Sequence, residues 1–501
     1  MSFDPWLPLA IVLTSACASI TIVCLREESS RLRTTVNLTA AVVTVGLVAA
    51  MTLGVMQGRV FETRLPLMPG IELVLFADAL SVLFGALSSI LWLLTTIYAV
   101  GYLEGSPNRR RFFCFFALCV SATMGIALAG NLLTLLLFYE MLTLATFPLV
   151  VHRGSEAAIR AGKIYLAYTL SGGMLVLIGT AGLYVLAGDV EFVVGGTLGP
   201  LVPEHRTLLM GLFVVLIGGF GVKAALVPLH SWLPISMVAP APVSALLHAV
   251  AVVKAGTFGI VRVVYDVFGI ATVVELGLAL PLALVAAFTI VYGSVRALTQ
   301  DDLKRRLAYS TVSQVSYIAL GAALASPLAT VGGMIHLIHQ GLMKITLFFC
   351  AGNYAETLGV ARVSGLNGVG RRMPWTTIAF TIGALGMIGV PPTAGFVTKW
   401  YLGTGALNAD DLWVIGILMI SSLLNAAYFL PILNAAWFKP AAGPWPKESH
   451  RGESGWMLLL PPLVTSTLVL AAGLLATAPF SPLGWTRTLA IEEFGFGVAA
   501  P

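Results

Sequence analysis

The chain has 501 residues, of which 58% are hydrophobic and 10% are charged, and its formal net charge at pH 7 is +5. Soluble domains contain about 25% charged residues, so this composition excludes an ordinary soluble enzyme. The high hydrophobicity also excludes an intrinsically disordered chain, and the mean hydropathy of +0.93 indicates a protein that lies largely within a membrane.

Apolar segments recur from the first ten residues to about position 478. They have the length that a helix needs to cross a bilayer, and they lack the alternating pattern of a membrane barrel. We therefore predict an all-α polytopic membrane protein with about fourteen transmembrane helices. The first segment carries Asp4 and no preceding basic residues, so we expect it to be retained rather than cleaved as a signal peptide. The predicted spans are centred near residues 15, 45, 88, 120, 141, 175, 218, 252, 282, 315, 340, 388, 425 and 467.

Basic residues are concentrated in the odd-numbered loops between these predicted spans. Arg109–Arg111 lie in the third loop, Lys304–Arg306 in the ninth, and Arg451 in the thirteenth. By the positive-inside rule, the odd-numbered loops face the cytoplasm, and both termini lie on the outer, periplasmic side of a bacterial inner membrane. The basic residues predicted on the outer side are Arg59, Arg64, Arg206, Arg262 and Arg487.

The cysteines do not suggest a cofactor site. They lie in apolar segments without ligand-like spacing, which favours small buried hydrophobic side chains over disulfides or an iron–sulfur cluster. We identify no nucleotide fingerprint or haem ligand pair, and therefore predict no cofactor. Because the positive charge follows the loops, it does not indicate nucleic-acid binding. The five cysteines are Cys17, Cys24, Cys114, Cys119 and Cys350.

Five charged residues fall within predicted spans: Glu140, Lys223, Lys254, Lys344 and Lys399. A charge near the middle of a bilayer costs about 2.5–3.5 kcal/mol on insertion scales, so such residues favour a functional explanation over simple packing. The alternatives are a structural ion pair and lysines that extend to the membrane surface. Glu140 is the only carboxylate that we predict to lie deep in the membrane. We expect it to pair with Lys223, with the position of the proton depending on the distance between them.

Four histidines lie in or beside the spans that carry lysine: His230, His248, His336 and His339. Imidazole titrates near neutral pH and can pass protons between lysines. The i, i+3 spacing of His336 and His339 also allows a metal site. No carboxylate or cysteine accompanies them, so we predict no metal.

Prolines interrupt two of the predicted spans. Pro228 and Pro234 fall in the seventh span, and Pro391 and Pro392 fall in the twelfth. Proline removes a backbone hydrogen bond and kinks a helix, and matched interruptions are typical of inverted-repeat transporters. We therefore predict two inverted five-helix repeats with two broken helices. The predicted units are helices 1–3 (residues 1–105), helices 4–8 (106–268), helices 9–13 (269–440), and helix 14 with a tail (441–501).

Two segments, HSWLPISMVAPAPVSALLHAVAVVKAG and LTQDDLKRRLAYSTVSQVSYIALG, resemble signatures of one superfamily. It contains the antiporter-like subunits of respiratory complex I, subunits of Mrp-type cation/proton antiporters, and similar subunits of membrane-bound hydrogenases. The resemblance implies fourteen helices, broken helices 7 and 12, and a hydrated line of charged residues through which protons pass. The residues that match the family pattern are Glu140, Lys223, Lys254, His336, His339, Lys344 and Lys399.

The branch within this superfamily is open at this point. Lys399 differs from the glutamate that is usual in M-type complex I subunits. The motif with His248 and Lys254 resembles the L-type subunits of complex I and the large A-type Mrp subunits. The length of the chain and Lys399 are similar to the D-type Mrp subunits.

The resemblance favours a proton-translocating subunit of a multisubunit Na+(K+)/H+ antiporter of Mrp type. The alternatives are a proton-pumping subunit of a complex I-like oxidoreductase or hydrogenase, and a scaffold or coupling protein without conduction. Glu140 and the lysines speak against a scaffold. The expected partners are other membrane subunits, protons and Na+ or K+. Any redox cofactor would belong to those partner subunits, so whether the complex is an enzyme stays open.

Overall fold

A computed structural model describes residues 4–447, 453–478 and 481–495, and Arg451 of the thirteenth predicted loop lies outside this part. The first seven helices coincide with the first seven predicted spans. Several begin at a side-chain cap, as where Asn131 accepts a hydrogen bond of 2.8 Å from the Thr134 amide. They are α1 (Leu7–Cys24), α2 (Ser30–Met56), α3 (Ala79–Tyr102), α4 (Arg109–Ala127), α5 (Leu132–Val150), α6 (Glu156–Ala187) and α7 (Val202–Lys223).

The second half of the chain contains shorter helices where predicted spans are interrupted. The eighth span consists of α9 and α10, and the twelfth consists of α16 and α17. These helices are α8 (Trp232–Ile235), α9 (Ala241–Ala249), α10 (Val252–Arg262), α11 (Ile270–Glu275), α12 (Ala279–Leu298), α13 (Leu303–Ala323), α14 (Pro327–Leu358), α15 (Val369–Arg372), α16 (Pro374–Ile388), α17 (Ala394–Asn408), α18 (Leu412–Phe438), α19 (Trp456–Leu474) and α20 (Pro482–Phe494).

Short helical turns complete these segments. A π-helical turn, Val263–Val267, extends α10, and a 3-10 turn, Ser236–Val238, follows α8. The other 3-10 turns are Asp4–Trp6, Gly199–Leu201 and Val363–Gly365.

Within the described ranges, twelve helical segments are long and apolar enough to cross a membrane. Two predicted spans are not among them. α13 carries Lys304, Arg305 and Arg306 in its first turn, which lowers its hydropathy, and the twelfth span is divided into two helices of 15 residues each. The chain is therefore a polytopic, multi-pass membrane protein, whereas the total of fourteen spans stays a prediction.

A β-hairpin between α2 and α3 departs from the all-helical prediction. Strands β1 (Glu62–Met68) and β2 (Ile71–Phe76) pair antiparallel, with Glu62 opposite Phe76. Gly70 in the turn has a φ of 78°, a conformation that glycine adopts without strain. The hairpin is fixed to the bundle where the Val74 amide donates to Thr134 at 2.9 Å.

The centre of the bundle is occupied by α14 and by the pair α9–α10. The most apolar stretch of each of these two spans is entirely buried. α14 packs against α3, α9, α13, α16, α17, α19 and α20. Polar residues on these central helices are therefore removed from lipid. The outer helices expose apolar side chains, and Cys17 and Cys24 of α1 are exposed among them, contrary to the burial that we expected. Cys114, Cys119 and Cys350 are buried as expected.

Candidate functional site

The first interruption follows Lys223, the last residue of α7. Ala225 has a φ of 56°, a left-handed conformation that L-residues rarely adopt. The chain then turns through Pro228 into α8, which confirms the interruption that Pro228 and Pro234 predicted. The indole of Trp232 donates a hydrogen bond of 2.7 Å to the Val222 carbonyl and so satisfies one of the acceptors that the helix end leaves free.

Lys223 and Glu140 lie close to each other but do not form the direct pair that we expected. The Lys223 ammonium donates to the backbone carbonyl of Tyr139 and lies 3.2 Å from the centre of the Tyr139 ring. Although both side chains belong to the described part of the chain, they form no ion pair with each other. Oε1 of Glu140 is buried without a hydrogen-bond partner, and the two groups are within electrostatic range. The carbonyl of Tyr139 thus takes the place of the carboxylate as the acceptor for Lys223.

Glu140 is held against a glycine of the neighbouring helix α6. A Cβ atom added at Gly173 would lie 1.9 Å from Oε1 of Glu140. The absence of a side chain at position 173 therefore creates the space that the carboxylate occupies.

A second interruption, which we did not predict, separates α9 from α10. Val250 and Ala251 leave the helical path, and the Leu246 carbonyl accepts from the amides of both residues, at 3.2 and 3.0 Å. His248 lies in the last turn of α9, and Lys254 lies in the first turn of α10. This stretch contains neither proline nor glycine, so no residue type marked the break.

His248 and Lys254 are fully buried on the two sides of this break. Both ring nitrogens of His248 and the Nζ atom of Lys254 are without hydrogen-bond partners in the described structure. The His248 ring stacks on Phe348 of α14, with centroids 4.5 Å apart. The break thus has one titratable group on each side of it, and neither is fixed to a protein acceptor.

Helix α14 contributes three of the predicted residues, and all three are buried. The His336 ring packs against Tyr317 with a centroid distance of 5.1 Å, and its two nitrogens lack partners in the described structure. His339 shares a hydrogen bond of 2.9 Å with Thr398 of α17. Lys344 donates to the Ser310 hydroxyl of α13 at 2.6 Å. The helix therefore joins α13 on one side to α17 on the other through titratable side chains.

Lys399 lies just after the break between α16 and α17. Its ammonium donates to the Ile388 carbonyl at 2.6 Å and to the Ser422 hydroxyl at 2.7 Å. Ile388 ends α16, so the lysine satisfies a free carbonyl at the negative end of a helix dipole. Gly389 follows with a φ of 90°, and a Cβ there would lie 2.7 Å from Cδ of Lys399.

These groups approach one another across helix boundaries. His336 is within electrostatic range of Lys254 and Lys399, and His248 is within range of Lys344. Helix α10 also packs directly against the break after Lys223, because a Cβ atom added at Gly256 would lie 2.2 Å from the amide nitrogen of Ala224. We call the resulting set the buried polar line. It consists of the buried residues Lys223, His248, Lys254, His336, His339 and Lys344, and of Glu140 and Lys399, which are half-buried.

His230 lies apart from this line. Its ring packs against Tyr292 and Tyr309, with centroids 5.0 and 6.2 Å away. Arg296 lies 5.5 Å from the Tyr309 ring on the same side. His230 is therefore close to the end of α12 rather than to the buried lysines.

Comparison with known proteins connects this arrangement to one family. The family model described as "NADH:quinone oxidoreductase/Mrp antiporter, TM" matches residues 129–425, more than half of the chain. The chain belongs to this NADH:quinone oxidoreductase/Mrp antiporter family.

Relatives in this family include members of both kinds of complex. NADH-quinone oxidoreductase subunit N of Desulforudis audaxviator is 35% identical over 419 residues, which are 82% of each chain. The A-type Na(+)/H(+) antiporter subunit of Alkalihalophilus pseudofirmus is 31% identical over 456 residues, covering 83% of this chain and 54% of that protein. The A/B-type subunit of a probable K(+)/H(+) antiporter from Rhizobium meliloti is 29% identical over 88% of this chain and 44% of its own length. The chain spans about half the length of these antiporter subunits.

Solved structures share the fold over nearly the whole chain. A chain of the Mrp complex from Dietzia sp. superposes with a TM-score of 0.86 at 23% identity, covering 99% of this chain and 98% of that one. A chain of the membrane-bound sulfane sulfur reductase, an archaeal respiratory membrane complex, also gives a TM-score of 0.86, at 22% identity and 97% coverage of both. The same fold therefore occurs in an Mrp complex and in an archaeal respiratory membrane complex. The resemblance to the D-type Mrp subunits stays a prediction.

A second buried charge cluster was not predicted from the sequence. Arg262, which we expected in an outer loop, lies inside the α10 span and is 1% exposed. It donates to Asp78 at 2.5 and 2.9 Å and to Asp266 at 2.9 Å. Asp266 is thus a second embedded carboxylate besides Glu140, because the π-helical turn extends the span past it. The i, i+4 spacing of Arg262 and Asp266 was the available signal.

Proposed function

We propose that the chain is a proton-translocating membrane subunit of a multisubunit Na+(K+)/H+ antiporter of Mrp type. The observation that carries this proposal is the buried polar line, which brings titratable side chains from α5, α7, α9, α10, α14 and α17 into the core of a membrane bundle. Intramembrane ionisable residues are costly and are typical of proton and ion pathways. The antiporter names of several relatives support the same function.

Protons would enter one half-channel, cross the buried polar line and leave by the other half-channel. Buried polar groups are almost always satisfied by protein or by water. The unpartnered nitrogens of His248, Lys254 and His336 are therefore suitable positions for bridging water. Water at these positions would connect side chains on both sides of the break between α9 and α10.

Lys223 and Lys399 would act at the two proline-containing breaks. Lys223 ends the helix before its break and donates to the Tyr139 carbonyl inside α5, whereas Lys399 donates to the Ile388 carbonyl at the end of α16. A small change in either helix end would alter the acceptor and so the preference of that lysine for its proton. Glu140, next to Lys223 and without a hydrogen bond to Oε1, would exchange the proton on that side.

A second candidate is a proton-pumping subunit of a complex I-like oxidoreductase. One specific observation favours it, since the NADH-quinone oxidoreductase relative matches 82% of both chains whereas the antiporter relatives are about twice as long. The buried polar line would serve both functions. Only the partner subunits would differ.

The proposal includes an orientation and a division of the chain. Both termini would lie on the periplasmic side of a bacterial inner membrane, with the basic odd-numbered loops in the cytoplasm. The two five-helix units would be residues 106–268 and 269–440, each with one proline-containing break.

Transport by the complex in proteoliposomes tests the role of the line. Glu140→Gln keeps the volume of the side chain but removes its ability to carry a proton. We expect Na+- or K+-dependent proton movement, followed with a pH-sensitive dye, to fall by about tenfold or more. Glu104→Gln, which changes an exposed carboxylate, is the matched control and should transport normally. Wild-type rates in the Glu140 variant, with the complex intact, would contradict the proposal.

Purification of the complex in mild detergent separates the two candidates. Small membrane subunits without flavin or iron–sulfur absorbance would support the antiporter. Partners that carry flavin or clusters would make the chain part of a redox-driven pump and would refute the first candidate.

A further inference from the structure

A cavity of about 660 Å³ opens between the two predicted five-helix units, on the side of the basic loops. Its walls come from the end of α3, the segment after α5, the start of α9, the loop before α13, and the end of α14. The volume lies within the range of sites for small ligands. None of the residues that line it belongs to the buried polar line, although Lys304 lies within electrostatic range of His248.

Four basic residues line this cavity: Arg153, Lys304, Arg305 and Arg362. They come from three separate parts of the chain, so the fold and not a single basic run brings them together. Guanidinium groups match the geometry of phosphate oxygens, because two parallel N–H groups can bind two of those oxygens. The lining therefore has the chemistry of an anion site.

Two acidic residues also line the cavity, but the walls already hold them. Asp301 accepts hydrogen bonds from the amide and the hydroxyl of Ser364, at 3.0 and 2.9 Å. Asp302 accepts from the Arg305 amide at 2.8 Å and caps the N-terminus of α13. These hydrogen bonds hold the carboxylates in place but leave their charge, so four basic residues against two acidic ones give the lining an excess of positive charge. The positive end of the α13 dipole adds to it.

Lys304 connects the two sides of the cavity. Its ammonium donates to the Ala239 carbonyl at 2.6 Å, across from α13 to the segment that precedes α9. A ligand in the cavity would therefore contact both predicted units at once. This bridge fixes Lys304, which is half-buried, whereas Arg153, Arg305 and Arg362 are exposed around the cavity.

We propose that this cavity binds an anionic phosphate group, supplied either by the headgroup of an anionic phospholipid or by free phosphate. The site lies at the end of the membrane-spanning helices, where a lipid headgroup can reach it. Basic pockets between membrane helices are known to bind such headgroups. The proposal does not depend on the transport function, because binding is measured without transport.

Calorimetry on the full-length chain in detergent tests this proposal with three probes. These are inorganic phosphate, a short-chain phosphatidylglycerol, and phosphatidylcholine of the same chain length. The variant Arg305→Gln/Arg362→Gln removes two guanidinium groups from the cavity. We expect it to weaken binding by at least about tenfold, because each guanidinium group can donate charge-assisted hydrogen bonds to the phosphate oxygens.

The matched control is Arg160→Gln/Arg371→Gln, which removes two exposed guanidinium groups outside the cavity. It should bind as the wild type does. A second cavity variant, Arg305→Lys/Arg362→Lys, keeps the charge and the fold if the glutamine variant proves unstable, and it should retain only part of the affinity.

The probes distinguish the sources of phosphate. Binding of phosphatidylglycerol alone would support a lipid site, and binding of inorganic phosphate as well would support a site for the phosphate group itself. The proposal is overturned if neither anion binds better than phosphatidylcholine. It is also overturned if the control loses as much affinity as the cavity variants, because general surface charge would then explain the binding.

Discussion

The lysines of the buried polar line differ in what holds them. Lys223, Lys344 and Lys399 each donate to a backbone carbonyl, whereas Nζ of Lys254 has no acceptor in the described structure. An ammonium without an acceptor is expensive in a low-dielectric core, so Lys254 depends most strongly on water or on loss of its proton. Glu140 resembles Lys254 in this respect, because its Oε1 atom is also unpartnered.

Gly173→Ala tests the position of Glu140 without changing a titratable group. The new methyl group would occupy the place of Oε1 and force the carboxylate away from α6. We expect proton movement in proteoliposomes to fall by about tenfold or more, as with a direct change to Glu140, because proton transfer requires groups within hydrogen-bond reach.

Gly211→Ala is the control for this experiment, because it adds the same methyl group at a site with no neighbour within 4 Å. It should leave transport and assembly unchanged. If Gly173→Ala transports as well as Gly211→Ala, the place of Glu140 beside α6 has no part in the pathway.

At the scale of elements, the interruptions of the helices determine where the charged residues lie. The prolines predicted the breaks after α7 and between α16 and α17, because proline cannot donate to the helical ladder. The break at Val250–Ala251 has no such residue. It depends on tertiary packing, which a single sequence does not reveal.

The hairpin differs from the break between α9 and α10, because its local sequence indicates a turn between two strands. The residues from Glu62 to Phe76 contain a Pro69–Gly70 turn between two short segments rich in β-formers. The apolar composition around it obscured this pattern. The types of residue in the buried polar line were also visible in the sequence, whereas their acceptors were not. Tyr139 and Ile388 contribute only backbone carbonyls, which any residue has.

The left-handed residue after α7 gives a prediction about stability. Ala225 has a positive φ, while its neighbour Ala224 has helical angles, and both are fully buried. Ala225→Gly relieves the strain of about 1–2 kcal/mol that a left-handed L-residue carries, which offsets the added freedom of glycine in the unfolded chain. Ala224→Gly adds the same freedom to the unfolded chain but relieves no strain, so it should only destabilise the protein. In nanodiscs, the apparent melting temperature should fall for Ala224→Gly and stay constant or rise for Ala225→Gly.

Equal losses in the two glycine variants would show that the conformation at position 225 is not strained. Ala225→Val provides a further comparison. A β-branched side chain is least tolerant of a positive φ, so this variant should melt below both glycine variants.

For the whole molecule, the Arg262 cluster ties distant parts of the chain together. Asp78 precedes α3, and Asp266 follows α10, so one guanidinium group joins the N-terminal helices to the first predicted unit. Burial opposes ionisation of Asp78, but the charge and hydrogen bonds of Arg262 outweigh it and hold the pKa of Asp78 below its ordinary value. The rings of Phe192 and Phe258 lie about 5 Å from the same guanidinium group.

Arg262→Met should destabilise the protein by about 3–5 kcal/mol, because two carboxylates lose their buried partner. The triple variant with Asp78→Asn and Asp266→Asn should recover most of the loss, since Asn also caps helices. Thermal unfolding in nanodiscs measures both. Arg64→Met, at an exposed cluster, should change stability by at most about 1 kcal/mol. No recovery in the triple variant would mean that Arg262 contributes through packing alone.

The composition of the buried polar line limits how many protons it can hold. Seven of its eight members are bases and one is an acid. Full protonation would place seven positive charges in a low-dielectric core with no compensating anion, so each proton bound raises the free energy of binding the next. In the proposed function, the line would therefore bind protons with negative cooperativity and stay partly unprotonated. A proton arriving at one end would favour release from a site further along, without any single proton having to travel the whole distance.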